Sequence, residues 1–233
     1  GRFMIKPLQN LTISSGFGTL NSRDEINRHA VDASVSYAID DWLNTAFYYE
    51  NSDAALILYS PFLINRRFDV DFYKFTGFYQ SQSNITLSGH FSYISISDGN
   101  KGNDVLMRIG KQFFTNTTLG YESQYLNYKY QAPVVPERTG YQMLYYSPQN
   151  LDSHSIWMEW RPKLVDAMNI QVGAKVGYLP ELDIILRQID GVVQYQPEKS
   201  LVVHGKISAG SSYRFDMSYT FFSCSVSAYW SIY

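Results

Sequence analysis

Apolar side chains fall on every second position through most of this chain, and helical spacing of apolar residues is almost absent. Met168, Ile170, Val172, Ala174, Val176 and Tyr178 share one parity, while Asn169, Gln171, Gly173, Lys175 and Gly177 share the other. Val31, Ala33, Val35, Tyr37 and Ile39 stand in the same way against Asp32, Ser34 and Ser36. A period of two belongs to the extended strand, whose successive side chains point to opposite faces. The chain is therefore expected to be all-β.

The alternation marks out about twelve strands, at 11–19, 29–39, 42–50, 66–80, 84–96, 104–113, 117–129, 153–161, 168–178, 188–196, 200–209 and 213–221. Most run roughly nine to fourteen residues, against five or six in ordinary soluble sheets. That excess matters, because a tilted strand needs about nine to eleven residues to cross a bilayer. Short connections at Asp40-Asp41, 81–83, Thr115-Asn116, 163–167 and 197–199 alternate with longer ones at 20–28, 51–65, 97–103, 130–152 and 179–187. Short turns at one end and long loops at the other are the layout of an outer-membrane barrel.

Two places resist the scheme. Phe68, Val70 and Phe72 run into Lys74 while Tyr73, Phe75 and Tyr79 take the other parity, so a β-bulge near Tyr73 or a misplaced strand is expected. The last 21 residues read as one strand or two, which sets the count at twelve to fourteen. The expected fold is a transmembrane antiparallel up-and-down β-barrel, one domain over residues 1–233.

Alternation alone does not say which face meets water, since a soluble sandwich also has period two. Composition helps. Charged residues are 17% of the 233, against roughly 25% in soluble domains, and aromatics reach 16% with mean hydropathy −0.23. Tyr and Trp gather at strand ends: Trp42, Tyr48-Tyr49, Trp160, Tyr195, Tyr229, Trp230 and Tyr233. Such residues mark the two water–lipid boundaries of a barrel. The alternative is an aromatic-rich core.

Other classes are excluded. The longest apolar run, Ala54 to Tyr59, is far below the roughly 18 residues of a membrane helix. A pI near 6.1 and no basic cluster beyond Arg66-Arg67 disfavour nucleic acid as a partner. Cys224 is the lone cysteine, so neither a disulfide framework nor a cysteine-based metal site is expected. No cofactor is implied. The chain opens at Gly1 without a signal peptide, which suggests a mature product or part of a longer protein.

On the polar parity, Arg108, Glu122, Glu159, Arg161, Gln171, Lys175, Arg214 and Asp216 are the candidates for lining a solute path. Both signs are present among many amides and hydroxyls, which suits water and neutral polar solutes. The same charges pairing across the interior would simply fill it.

Tyr145-Tyr146-Ser147-Pro148-Gln149, followed by Ser155 to Trp160, resembles the C-terminal barrel of exopolysaccharide exporters of the cellulose synthase operon protein C type. The resemblance implies a bacterial outer-membrane pore, in contact with lipid, that passes a nascent polysaccharide. It also implies partners: a periplasmic superhelix of tetratricopeptide repeats and synthase components. This chain departs from the family pattern at Met143-Leu144, where glycines are usual, and at Asn150-Leu151, where an aromatic is usual. Part of the motif recurs at Leu58-Tyr59-Ser60-Pro61.

Three other readings stay open at this point: a scaffold barrel with a filled interior, an outer-membrane lipid hydrolase, and a soluble carbohydrate-binding sandwich. For the hydrolase, His90 has Ser88 and Ser92 on its own face and His204 has Ser208, while no Gly-x-Ser-x-Gly elbow is present.

Overall fold

The alternation becomes strand throughout the computed structural model, which describes residues 1–21, 27–40, 42–58, 63, 68–132, 134–137, 140–143, 145–198, 200–214 and 217–230. In order these are β1 (Arg2–Leu8), β2 (Leu11–Asn21), β3 (Asn27–Ile39), β4 (Leu43–Asp53), the single helical turn α1 (Ala54–Ile57), β5 (Asp69–Gln80), β6 (Ile85–Ile96), β7 (Lys101–Phe114) and β8 (Thr117–Tyr128). There follow β9 (Val134–Glu137), β10 (Gly140–Met143), β11 (Leu151–Trp160), β12 (Met168–Leu179), β13 (Ile184–Glu198), β14 (Leu201–Arg214) and β15 (Met217–Trp230). Thirteen of these form one up-and-down antiparallel sheet in chain order, in which β11 follows β8; β9 and β10 make a separate small hairpin. The end strands β1 and β15 each pair on one side.

The chain divides into two compact units, Gly1–Met107 with Gln124–Asp152, and Arg108–Ser123 with Ser153–Tyr233. In both, the apolar parity is the exposed one. Ile156 is 63% exposed while its neighbour Ser155 is 7% exposed. Val31, Val35 and Tyr37 of β3 are exposed, and Asp32, Ser34 and Ser36 are half-buried. Ile185 and Ile189 of β13 are exposed, and Gln188 and Asp190 are half-buried. A sheet folded against water would carry the opposite pattern. The inversion suits a sheet whose apolar face meets hydrocarbon.

Strand length agrees. At about 3.3 Å per residue, the twelve residues of β5, β6 or β8 extend about 40 Å. Tilted by about 45°, that crosses roughly the 30 Å of a hydrocarbon core.

Several boundaries differ from expectation. The sequence reading missed β1, and the stretch 213–221 divides between the end of β14 and the start of β15, with Arg214 opposite Met217. The final residues therefore make one strand. β5 begins at Asp69, and its register with β4 and β6 is unbroken, so there is no bulge at Tyr73. Residues 101–103 and 184–187 are strand, which cuts two expected long loops to four residues each, 97–100 and 180–183. The genuinely long connections are 54–68 and 129–150. The motif copy Tyr59-Ser60-Pro61, together with Asp41, Asp216 and Tyr233, lies outside the described residues.

The missing bulge has a physical reason. Val70 and Phe72 sit on the polar parity of β5, but at the end nearest the long connections that parity is covered by chain. Ala54, Leu58 and Leu63 pack there with Val70, Ile94, Ile96, Tyr128, Ala132 and Tyr145 in a small buried core. On β6 the same parity passes from Thr86, Ser88 and His90 to Ile94 and Ile96 as it enters that core.

The exposed aromatics bracket the apolar face. Trp42 meets Tyr79 edge-on at the short-turn end, with ring centres 6.1 Å apart. Tyr49, Tyr73 and Tyr93 form a ladder toward the other end, with 5.0 and 6.1 Å between successive ring centres. The Tyr49 hydroxyl donates to Asp71 at 2.9 Å. Tyr48 does not belong to this belt, because it lies on the opposite face and donates to Glu50.

Candidate functional site

Six of the expected path residues meet on the polar face of the second unit. Arg108 comes from β7, Glu122 from β8, Glu159 from β11, and Gln171 and Lys175 from β12; Arg161 follows β11. Adjacent strands with matched register place their same-parity side chains side by side. Lys175 Nζ lies 3.1 Å from Glu122 Oε1, and Arg108 Nε lies 3.8 Å from Glu122 Oε2. Gln171 Nε2 donates to Glu159 Oε2 at 2.6 Å, while Arg161 Nε is 2.7 Å from Glu159 Oε1. Each carboxylate therefore faces a donor on both oxygens.

These groups, except Arg161, line a cavity of about 300 Å³. Gln188, Asp190 and Lys206 complete its polar wall. Asp190 accepts from Gln188 at 3.0 and 2.8 Å and from Ser208 at 2.5 Å. Four side chains in this group are cationic and three are carboxylates, so no single-sign field dominates.

Trp157 is the residue the sequence reading missed. It shares the parity of Glu159, a signal that would have placed it on the polar face. It is only 6% exposed, and the Arg108 guanidinium stacks 3.7 Å from its ring centre. Gly120 makes the room: a Cβ there would lie 2.4 Å from Trp157 Cζ2. Arg108 Nε and Trp157 Nε1 are buried without a hydrogen-bond partner among the described residues. With the carboxylates already occupied, the unsatisfied valence of the cavity is donor in character.

Arg214 ends β14, with only its backbone described, and Asp216 lies outside the described residues. Neither is placed in the cavity.

The motif 145–149 lies in the first unit, where it holds the long connection 129–150 in place. Tyr145 is fully buried; its hydroxyl donates to Asp98 Oδ2 at 2.6 Å and accepts from Asn100 Nδ2 at 3.0 Å. The same Asn100 amide donates to the Tyr130 carbonyl at 2.9 Å, and its Oδ1 accepts from the Tyr130 amide at 3.3 Å. Ser147 Oγ accepts from the Ala132 amide at 2.6 Å, the Pro148 carbonyl accepts from the Tyr128 amide at 2.9 Å, and Gln149 donates to the Lys129 carbonyl at 3.1 Å. Tyr146 is half-buried. Burial and the Asp98 carboxylate push the Tyr145 phenol above its ordinary value, with Asn100 acting in the opposite direction.

His90 Nε2 lies 2.9 Å from Asp104 Oδ2, and Asp104 also accepts from Gln124. Among the described residues no serine hydroxyl bonds to His90, and no group of three or more metal-ligating side chains occurs.

No protein-family model matches the chain, and no curated protein sequence does. Solved structures do match. One is a bacterial polysaccharide outer membrane secretin, at TM-score 0.68 and 10% identity over 99% of this chain and 89% of that one. Others are the OccK5 (OpdH) structure from Pseudomonas aeruginosa, at 0.52 and 11% over 98% and 69%, and the CymD monoaromatic hydrocarbon channel, at 0.50 and 9% over 99% and 81%. The likeness is one of fold: an all-β antiparallel sheet of the kind that outer-membrane channels use.

Proposed function

We propose that this chain is an outer-membrane β-barrel conduit for a polar solute, and that the solute is a secreted polysaccharide. The observation that carries the reading is the donor-bearing cavity on a polar face whose reverse side is apolar and exposed. A saccharide presents many hydroxyl acceptors and a flat ring face. Trp157 Nε1 supplies a donor without a hydrogen-bond partner among the described residues, and Arg108, Glu122, Glu159, Arg161, Gln171 and Lys175 supply a hydrated, charge-balanced wall. No chemistry is required; transport is passive. The resemblance of the motif to exopolysaccharide exporters favours this solute, the fold likeness supports a conduit, and synthase or helical-repeat components are the partners it would need.

The test is conductance in planar bilayers. The purified chain should give discrete channels that a soluble oligosaccharide blocks, with Trp157→Ala weakening the block. Channels that open normally but ignore every saccharide tried would remove the polysaccharide reading and leave a general pore.

A second reading is favoured by the small core under 54–63 and 128–147. Chain packed on the polar face at that end would make a filled scaffold. Absence of conductance both before and after the Tyr145 latch is broken would select it.

A further inference from the structure

We propose that the short-turn end of β3 to β6 holds a specific phospholipid with an ethanolamine headgroup; this rests on the outer-membrane reading above. Two recesses of opposite character meet at Tyr79. The first, about 350 Å³, lies on the first unit and is almost wholly apolar. Gly77 and Gly89 are directly opposed in register and are flanked by the pairs Phe75–Phe91 and Tyr79–Leu87. The second, about 760 Å³, is lined at the turns by Asp40, Trp42, Gln80, Gln82 and Asn84, with Tyr79 again in its wall.

The two glycines have different causes. A Cβ on Gly89 would lie 2.3 Å from the Leu106 carbonyl oxygen, so the packing of β7 demands glycine there. A Cβ on Gly77 would meet nothing within 4 Å. Strand-interior glycine is unfavourable, and where no packing contact requires it, as at Gly18, Gly77 and Gly205, it leaves room for the close approach of something else. On a lipid-facing surface between two phenylalanines, that something is an acyl chain.

The polar recess selects the headgroup. Among the described residues Asp40 is its carboxylate and no cation lines it, so a purely anionic headgroup would meet repulsion. A primary ammonium fits: it pairs with Asp40 and lies against Trp42, whose ring face attracts cations. The amides of Gln80, Gln82 and Asn84 then serve the phosphate and ester oxygens. In a barrel of this kind the short turns face the periplasm, so the lipid belongs to the inner leaflet.

The experiment uses the whole chain inserted into vesicles of equal phosphatidylethanolamine and phosphatidylglycerol. Flotation first reports insertion. A chain that does not float with the vesicles overturns the membrane reading itself, and this proposal with it. The floated protein is then released in mild detergent and its retained lipid counted by native mass spectrometry. Wild type should keep phosphatidylethanolamine at least about fivefold over phosphatidylglycerol. Gly77→Phe should bring both to the same low level. Asp40→Asn, which suits the positive φ of 46° at that turn, should abolish the headgroup preference while leaving lipid retained. Equal retention of the two lipids by floated wild type, or unchanged preference in both variants, would overturn the lipid site while leaving the barrel intact.

Discussion

The polar parity of the sheet is filled in two different ways. In the first unit, near the long connections, it is covered by Leu58, Leu63, Ala132 and Tyr145, and the strand residues beneath are Val70, Ile94 and Ile96. In the second unit the same parity is left open to a cavity and carries Arg108, Glu122, Glu159, Gln171 and Lys175. Identical strand geometry thus supports either a small soluble-type core or a hydrated polar wall. What chooses between them is whether a loop returns to cover the face. A returning loop removes water, so the residues below become apolar and the polar atoms that remain must be paired. Asp98, Asn100 and Tyr145 are paired in that way.

The largest effect should follow from breaking the covered region. Tyr145→Ala removes a fully buried aromatic and leaves Asp98 and Asn100 short of a partner, so a loss of about 3–5 kcal/mol is expected. Limited proteolysis should then cut within 129–150 while the strands stay protected. If that segment remained resistant, the latch would not be what holds it.

Opening the polar wall should cost less. Glu122→Ala leaves Lys175 and Arg108 without their shared carboxylate, at about 1–3 kcal/mol. Channels of this variant should also shift toward anion selectivity, measured as a change in reversal potential across a salt gradient.

Alkali should loosen the covered region. The folded Tyr145 phenol titrates above its unfolded value of about 10, so the folded state binds its proton more tightly. Its contribution is intact below pH 10 and is lost as pH rises beyond it. Protease sensitivity of 129–150 should therefore appear above about pH 10 and be absent at neutral pH; Tyr145→Phe should lose this pH step.

Gly120→Val, whose Cβ would lie 2.2 Å from the Ile109 carbonyl oxygen and 2.4 Å from Trp157 Cζ2, should strain the strand there as well as displace the ring, lowering the melting temperature and weakening saccharide block several-fold. The smallest effect belongs to the exposed Lys163–Asp166 pair: Lys163→Ala should leave melting temperature and conductance unchanged.

Much of this was legible in the chain. Strand existence, strand length and the antiparallel order follow from parity and turn residues, because the two-residue period is a local property of extended backbone. The grouping of Glu122, Glu159, Gln171 and Lys175 around one cavity was legible for the same reason: neighbouring strands in register bring equal parities together. The failures are equally local. β1 was missed because Pro7 and a short Gln9-Asn10 turn interrupt its pattern. Residues 101–103 read as loop because Lys101, Gly102 and Asn103 carry no apolar alternation, and 184–187 because Ile184, Ile185 and Leu186 form a continuous apolar run without a period of two.

Two decisions belonged to tertiary structure. Parity names two faces but not their surroundings, and only the exposure of Ile156 against the burial of Ser155 in the folded sheet shows that the apolar face is the exposed one. Parity sets Trp157 apart from Trp160 on the same strand, but only the structure shows it buried with the Arg108 guanidinium stacked on its ring. The motif 145–149 drew attention by its residues, yet its buried latch depends on Asp98 and Asn100, some 45 positions earlier in the chain. A sequence of this kind determines its strands because backbone alternation is local. What covers each face is settled only when distant loops return to it, because burial is a property of neighbours in space.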